Sequence, residues 1–398
     1  MSSNIRSLSS ILCFLLSFVL SIIVMHYTVG LIPTLSTDVL AVAYFIPLLS
    51  FFVYGKLRAN RLWLFFLLYL PFTIILGQPS PVFRSWERLL LFAVMFMVCS
   101  PALQSDYSRN FRRNCLNISI IICVVLSVGS FFAYFAGINL DTTRDIGDYV
   151  DHAGWFSGLT RMSMILAPVS GLSALYLLNK TLKNKSIIYG LLTIPCIGSV
   201  LFSASRAGFI ATLGGILVML YYITQRNRKI FKKIITLFVL LAISFPIWES
   251  ALSPVKQKQE GHFEDSVFDS REGKVQARFA EFVSSPLWGV GFCAQDINGK
   301  DYYNKETGTI EPGSSWLALL SMSGIVGFFL FLRLAIASFK IVMCYADDSS
   351  FWLLGALVFF FIHMIAEGYI FASGSPTSCL LWLVLGNSCD TKFLRKVT

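Results

Sequence analysis

Long apolar runs separated by short polar turns fill most of this 398-residue chain. A helix needs roughly 20 apolar residues to cross about 30 Å of hydrocarbon. Runs of that kind recur near 9–30, 36–55, 60–77, 86–104, 116–138, 158–178, 186–204, 207–224, 233–250, 316–339, 351–372 and 376–388. The pattern predicts an all-α, polytopic membrane protein with about twelve transmembrane helices. The last run is short, and only a tight polar turn separates the seventh from the eighth. The first run is too long for a signal-peptide core and has no small-residue cleavage site, so it is expected to be retained. A loop of about sixty residues, Glu249 to Gly313, divides the chain into 1–250, a long loop 251–313 and 314–398. Loops beyond about 15 residues are usually functional or disordered. Within this one, Val275, Phe279, Phe282 and Val283 stand at helical spacing and predict a short amphipathic helix. Asp269-Ser270-Arg271-Glu272 reads as its capping box, and Pro286 ends it.

The chain is 56% hydrophobic, only 14% charged, and carries a net charge of +10. A soluble domain is about one-quarter charged, so soluble, disordered and disulfide-scaffold classes are excluded. The cations alternate by side. Lys56, Arg58 and Arg61, then Arg109, Arg112 and Arg113, then Lys180, Lys183 and Lys185, then Arg226 to Lys233 fall on one side, with Arg6 and Lys392, Arg395 and Lys396. Short loops rich in Lys and Arg stay in the cytoplasm, so both termini are expected there and the long loop is expected to be periplasmic. About twenty of the 32 basic residues are explained in this way, which removes nucleic acid as the reason for the charge. The opposite side is poorer in cations, with Asp141, Asp145, Asp148 and Asp151 against Arg144 at 139–157. Of nine cysteines only Cys293 falls in an exterior loop, which leaves no disulfide framework.

No metal, cofactor or nucleophile motif emerges. His26, His152, His262 and His363 are scattered, without ligand spacing. Gly289-Val290-Gly291 reads as a turn rather than a phosphate loop, and Gly214-Gly215 as a site of close helix packing. The informative residues are exterior arginines. Arg206 lies in Ser203-Ala204-Ser205-Arg206-Ala207-Gly208, between two apolar runs, where a cation is costly and needs a partner; snorkelling to lipid phosphates is the plainer reading. Arg271 and Arg278 are seven residues apart, about 20° on a helix, with Lys274 on the same side; an interfacial helix on anionic lipid reads equally well from spacing. Guanidinium groups without metal ligands suit a diphosphate, which they bind through paired oxygens. Base candidates for an acceptor hydroxyl are Glu311, His152, His262 and Asp151. Glu367, an acid inside the eleventh run, could pair with one of the arginines.

These segments resemble the O-antigen ligase and O-antigen polymerase superfamily of bacterial inner-membrane glycosyltransferases. The resemblance rests on Phe156-Ser157-Gly158-Leu159-Thr160, Ser205-Arg206-Ala207-Gly208, and Ser270-Arg271 followed by Pro286-Leu287-Trp288-Gly289-Val290-Gly291. Arg278 and Gly289 have ten residues between them, similar to the spacing in polymerase loops. Ser314-Ser315-Trp316-Leu317-Ala318-Leu319-Leu320 and Ser323-Gly324-Ile325-Val326-Gly327 complete it, over about residues 155–370. Ligases often carry a His-Asn pair at the start of the re-entering segment; here Gly313-Ser314-Ser315 stands instead, so no histidine transfers, and Glu311 is the substitute base. The resemblance implies a C-type architecture, with Arg206, Arg271 and Arg278 on the donor diphosphate and Lys274 and Glu367 in support.

The implied reaction is metal-independent transfer of a glycan from an undecaprenyl-diphosphate-linked oligosaccharide on the periplasmic face of the inner membrane. Polymerisation onto a carrier-linked repeat is favoured over ligation to lipid A-core. The implied partners are donor, glycan acceptor, bilayer and a chain-length regulator. A polysaccharide flippase is the alternative from another class; paired broken helices and repeats, which would favour it, are not evident in the sequence.

Overall fold

The computed structural model describes residues 3–33, 35–140, 156–226, 267–296, 303–304, 308, 310–347 and 350–394, with backbone alone at 3–7, 226, 267–271 and 392–394. Twelve α-helices lie among them: α1 (Ser3–Met25), α2 (Thr37–Tyr54), α3 (Arg61–Gly77), α4 (Ser85–Cys99), α5 (Asp106–Phe135), α6 (Ser163–Asn184), α7 (Ile187–Phe202), α8 (Arg206–Arg226), α9 (Val267–Ser284), α10 (Ser315–Tyr345), α11 (Phe351–Ala366) and α12 (Pro376–Leu394). The only ladder among the described residues is the two-residue antiparallel pair β1 (Arg58–Ala59) and β2 (Leu103–Gln104). The chain is an all-α polytopic membrane protein. Among the described residues six helices are long and apolar enough to span, and α3, α7 and α11 are shorter apolar helices. Eleven helices coincide with the predicted runs, and α9 is the predicted amphipathic helix; the run at 233–250 lies outside the described residues.

Several boundaries differ from the hydropathy pattern because hydrogen bonding overrides it. Helix α5 begins ten residues before its apolar run, where the Ser105 and Ser108 hydroxyls cap each other's backbone N–H groups. Helix α11 stops at Ala366 rather than 372, since the Tyr369 and Ile370 N–H groups donate to Ser315 Oγ instead of continuing the helix. Glu367 therefore follows α11 rather than lying inside it. Helix α9 is already formed at Val267, so Asp269 sits in its first turn rather than capping it, where an acid still suits the helix dipole.

The cationic start of α5 holds a buried clamp. Arg112 is fully buried and donates through Nε to Asp390 Oδ2 at 2.9 Å, with Nη2 at 2.8 Å from the same oxygen. Its Nη1 donates to the carbonyls of Ser100 and Leu103. The Asn387 amide donates to the Arg112 carbonyl, at 3.2 Å. Arg112, predicted as a topology signal, thus also fastens α12 to the α4–α5 turn.

Helix α10 is broken at Gly324, whose φ of 64° and ψ of −173° no helix contains. The turn Pro286–Gly291 occupies the break. Val290 N–H donates to Ser321 O and Ile325 N–H donates to Pro286 O, both at 2.8 Å. From α3, the Tyr69 hydroxyl donates to Ser323 O at 2.8 Å. A Cβ on Gly324 would strike the Leu287 carbonyl, and one on Gly289 (φ 75°) would lie 2.5–2.6 Å from the backbone of Ser321 to Ser323. At the other end of α9, a Cβ on Gly313 would be 3.2 Å from the Lys274 side chain. Helix α9 therefore runs parallel to the first half of α10, from Gly313 to Gly324. The long loop is not free-standing in this part: residues 267–296 are built into the bundle.

Two outcomes are expected. Arg112→Leu should cost about 3–5 kcal/mol by stranding Asp390, and adding Asp390→Leu should recover most of the loss, read as unfolding midpoints in detergent. Gly324→Ala should lower the midpoint further than Gly327→Ala, because its Cβ meets backbone at positive φ whereas Gly327 faces the Ser323 side chain.

Candidate functional site

Helices α8 and α11 pack antiparallel, and two glycines bring their backbones together. A Cβ on Gly215 would lie 2.6 Å from the Gly355 carbonyl, and one on Gly355 2.9 Å from that of Gly215. Close packing is what the Gly214-Gly215 pair suggested. Counting about 1.5 Å per residue from this crossing, the start of α8 and the end of α11 reach the same level. Arg206 thus shares one end of the bundle with Glu367.

The turn before α8 is tight. Ala204 has φ 50°, Ser203 N–H and Ala204 N–H donate to the carbonyls of Ser199 and Leu201, and Ser205 Oγ accepts from Gly208 N–H at 3.1 Å. This leaves Arg206 exposed on the first residue of α8. A cation there opposes the helix dipole, so guanidinium and helix N-terminus together favour an anion.

The start of α10 is tied to the same end. Ser315 donates through N–H (3.0 Å) and Oγ (2.7 Å) to the Glu367 carbonyl, while Ser314 Oγ accepts from Leu317 N–H and donates to the Met364 carbonyl. The two serines at the start of the re-entering segment are thus used as staples. Pro312 fills the space a side chain on Gly368 would take. Next to it, Glu311 pairs with Lys274 at 2.6 Å; the lysine is mostly shielded and the glutamate 56% exposed. His363 is buried on α11, with Nδ1 3.2 Å from the Tyr369 hydroxyl.

Arg278 behaves differently from Arg206. It is 1% exposed and pairs at 2.9 Å with Glu281, itself 4% exposed. Glu281 Oε1 also accepts from Asp296 N–H at 3.1 Å. Burial lowers the guanidinium's pKa and raises that of the carboxyl, each opposed by its partner. In this arrangement Arg278 anchors α9 and does not face a ligand. The backbone of Arg271 lies one turn before Lys274, on the same side of α9; its side chain lies outside the described residues, as do His152, His262 and Asp151.

The structure therefore gathers Arg206, Lys274, Glu311 and Glu367 at one end, sets Arg278 inside, and adds cations that sequence reading passed over. Arg88, in the second turn of α4, lies half-buried within electrostatic reach of Cys293. Arg161 stacks 5.1 Å over the Tyr27 ring and donates to the Ile32 carbonyl. The available signal was a lone cation flanking an apolar run. Cys293, expected in an open loop, is buried, and burial pushes its thiol up to about 12.

Residues 191–332 match the family model described as O-antigen ligase. The match covers less than half of the chain and supports a place in the O-antigen ligase and polymerase superfamily. It spans α7, α8, α9 and the broken half of α10, and so holds Arg206, Arg271, Arg278 and Gly324 together. No curated protein matches the chain. The match supports a ligase- or polymerase-type role in membrane glycan assembly.

A pH dependence follows from Glu281. Its raised folded-state pKa means that the fold binds a proton in a range where the unfolded chain has released it. Stability in α9 is then highest in acid and declines as pH rises from the ordinary carboxylate range toward the raised value. Limited proteolysis at 267–296 should accelerate over that rise, and Glu281→Gln should flatten the slope while raising cleavage throughout.

Proposed function

We propose that the chain is a membrane glycosyltransferase that polymerises undecaprenyl-diphosphate-linked repeat units on the periplasmic face of the inner membrane. The observation that carries the reading is Arg206, exposed at a helix N-terminus inside the family-matched segment. The acceptor hydroxyl oxygen forms a bond to the donor's anomeric carbon. The bond from that carbon to the diphosphate oxygen breaks, and undecaprenyl diphosphate leaves with the electron pair. Arg206 and Arg271 stabilise the charge that develops on the leaving group, where fixed cations contribute most. Glu311, oriented by Lys274, takes the hydroxyl proton. Glu367 borders this end of the site through its tie to Ser315, and Arg278 holds α9 in place rather than touching the donor.

Ligation of the glycan to lipid A-core is the second reading, favoured by the family description itself. The stapled serines in place of a His-Asn pair support the polymerase.

Arg206→Ala and Arg271→Ala should each abolish long-chain polysaccharide when a deletion strain is complemented, and Arg→Lys should rescue poorly because an ammonium cannot make the forked contact. Glu311→Gln should lower kcat by about 10²–10⁴ with little change in KM. Wild-type banding from either alanine variant would remove the diphosphate site. In the deletion strain, a single repeat on the core indicates a lost polymerase, whereas carrier-linked polymer with bare core indicates a lost ligase.

A further inference from the structure

Basic residues at helix ends follow from orientation in the membrane, but Arg333 is not at an end. It lies nine residues past the break at Gly324 and twelve before Tyr345. No other described cation is as far from both ends of a helical stretch. Arg333 is exposed, as are Lys340, seven residues on, and Arg61, the first residue of α3. Arg333 and Lys340 stand about 20° apart around α10. They alternate with the exposed Phe329, Ile336 and Met343, so both belong to the face turned away from the bundle. Arg61 likewise heads the outward face of α3, where Phe65 and Leu68 follow it.

The three cations share one level of the bundle. Tyr69 meets Ser323, and the rings of Phe66 and Phe331 are 6.2 Å apart, so α3 and α10 run antiparallel. Arg61 is five residues before Phe66, which at about 1.5 Å per residue sets it beside position 336 of α10. On the same count Arg333 lies about 4.5 Å to the membrane side of Arg61, and Lys340 about 6 Å beyond it. The Cα–Cβ bonds of α10 tilt toward its N-terminus. Lys340 therefore leans back toward the level of Arg61, and Arg333 leaves the backbone within the apolar layer. This is the end of the bundle away from Arg206, close to the Arg112–Asp390 clamp, since Ser338 Oγ is 3.2 Å from Cys389 Sγ.

A cation set in an apolar face needs a partner. Among the described residues no acid pairs with Arg61, Arg333 or Lys340. The acids at this end are engaged elsewhere: Asp390 with Arg112, Asp106 with Arg109 and Asp347 with Ser350. The anions that stand outside the protein at this level are lipid headgroups. Snorkelling alone brings a single cation to them; three cations at one level concentrate enough charge to select among them.

We propose that Arg61, Arg333 and Lys340 form a binding site for an anionic phospholipid in the leaflet opposite the Arg206 mouth. The phosphodiester oxygens lie on the two guanidinium groups and the ammonium, and the acyl chains run inward along Phe65 and Leu68 on one side and Phe329 on the other. Guanidinium takes two phosphate oxygens at once. Three cations spread over about 10 Å of helix suit a lipid with two phosphodiesters, cardiolipin, better than phosphatidylglycerol, which has one. The site is separate from the proposed donor site in both depth and residues.

The test places the full chain in phosphatidylcholine nanodiscs with a minor share of cardiolipin or phosphatidylglycerol and counts retained lipids by native mass spectrometry. Wild-type protein should retain cardiolipin most and phosphatidylcholine least. Arg333→Leu/Lys340→Leu should lower cardiolipin retention about fivefold for each cation removed. Lys183→Gln/Lys185→Gln, which removes two exposed cations from the α6–α7 turn at the same end, should leave retention unchanged. Equal losses in the two double variants overturn the site and assign the effect to diffuse surface charge. Retention of phosphatidylcholine at the level of cardiolipin also overturns it, and equal retention of the two anionic lipids overturns the preference for two phosphates. Because both positions face outward, leucine should leave the unfolding midpoint in pure phosphatidylcholine unchanged. Arg333→Gln/Lys340→Gln is the second variant if that midpoint falls, and it should lose cardiolipin to the same extent. A photoreactive p-benzoylphenylalanine in place of Ile336 should capture lipid in native membranes. Capture of a second polypeptide there instead overturns the lipid site in favour of an acidic partner helix.

Discussion

A membrane helix cannot be interrupted unless something else satisfies the backbone groups it abandons, since hydrocarbon offers no hydrogen bonds. At Gly324 that substitute is another part of the chain. The Pro286–Gly291 turn gives and takes one backbone bond on either side of the break, and Tyr69 supplies another from α3. Three separate stretches of sequence meet at one residue that lacks a side chain. The attachment of the C-terminal end of α9 to α10 is made at that junction.

Charges in this molecule divide by what surrounds them. Arg112 and Asp390 are buried together, as are Arg278 and Glu281. Such pairs gain little over apolar packing but are costly to break singly, so they act as registers rather than as sources of stability. Arg206 has the opposite setting: exposed, on the positive end of a helix, at the mouth of the bundle. Among the described residues no acid pairs with Arg206, so its charge is available to a ligand, and this separates it from Arg278 although both are arginines on the same expected side.

The overall architecture was legible in the sequence because apolar runs about twenty residues long match the thickness of a bilayer and exceed what a soluble core needs. Helix α9 was legible from Val275, Phe279 and Val283, and the close contact of α8 with α11 from Gly214-Gly215. Three things were not. The ends of α5 and α11 depend on Ser105, Ser108 and Ser315, whose hydroxyls serve as caps only in context. The burial of Arg278 depends on Glu281, which in sequence is simply an acid three residues on. The placement of the long-loop turn inside α10 depends on a glycine that hydropathy reads as an unremarkable member of an apolar run. In each case the deciding partner is polar or absent, and apolar periodicity carries no record of it.

The Arg112–Asp390 clamp joins residues 278 positions apart. A ribosome delivers Arg112 early and its counter-ion only after most of the bundle has been made. Throughout the intervening synthesis the guanidinium must be hydrated, borrowed by a neighbour such as Asp106, or held outside the apolar layer. The α4–α5 turn can close on its own hydrogen bonds, but its tie to α12 forms only once Asp390 has been made.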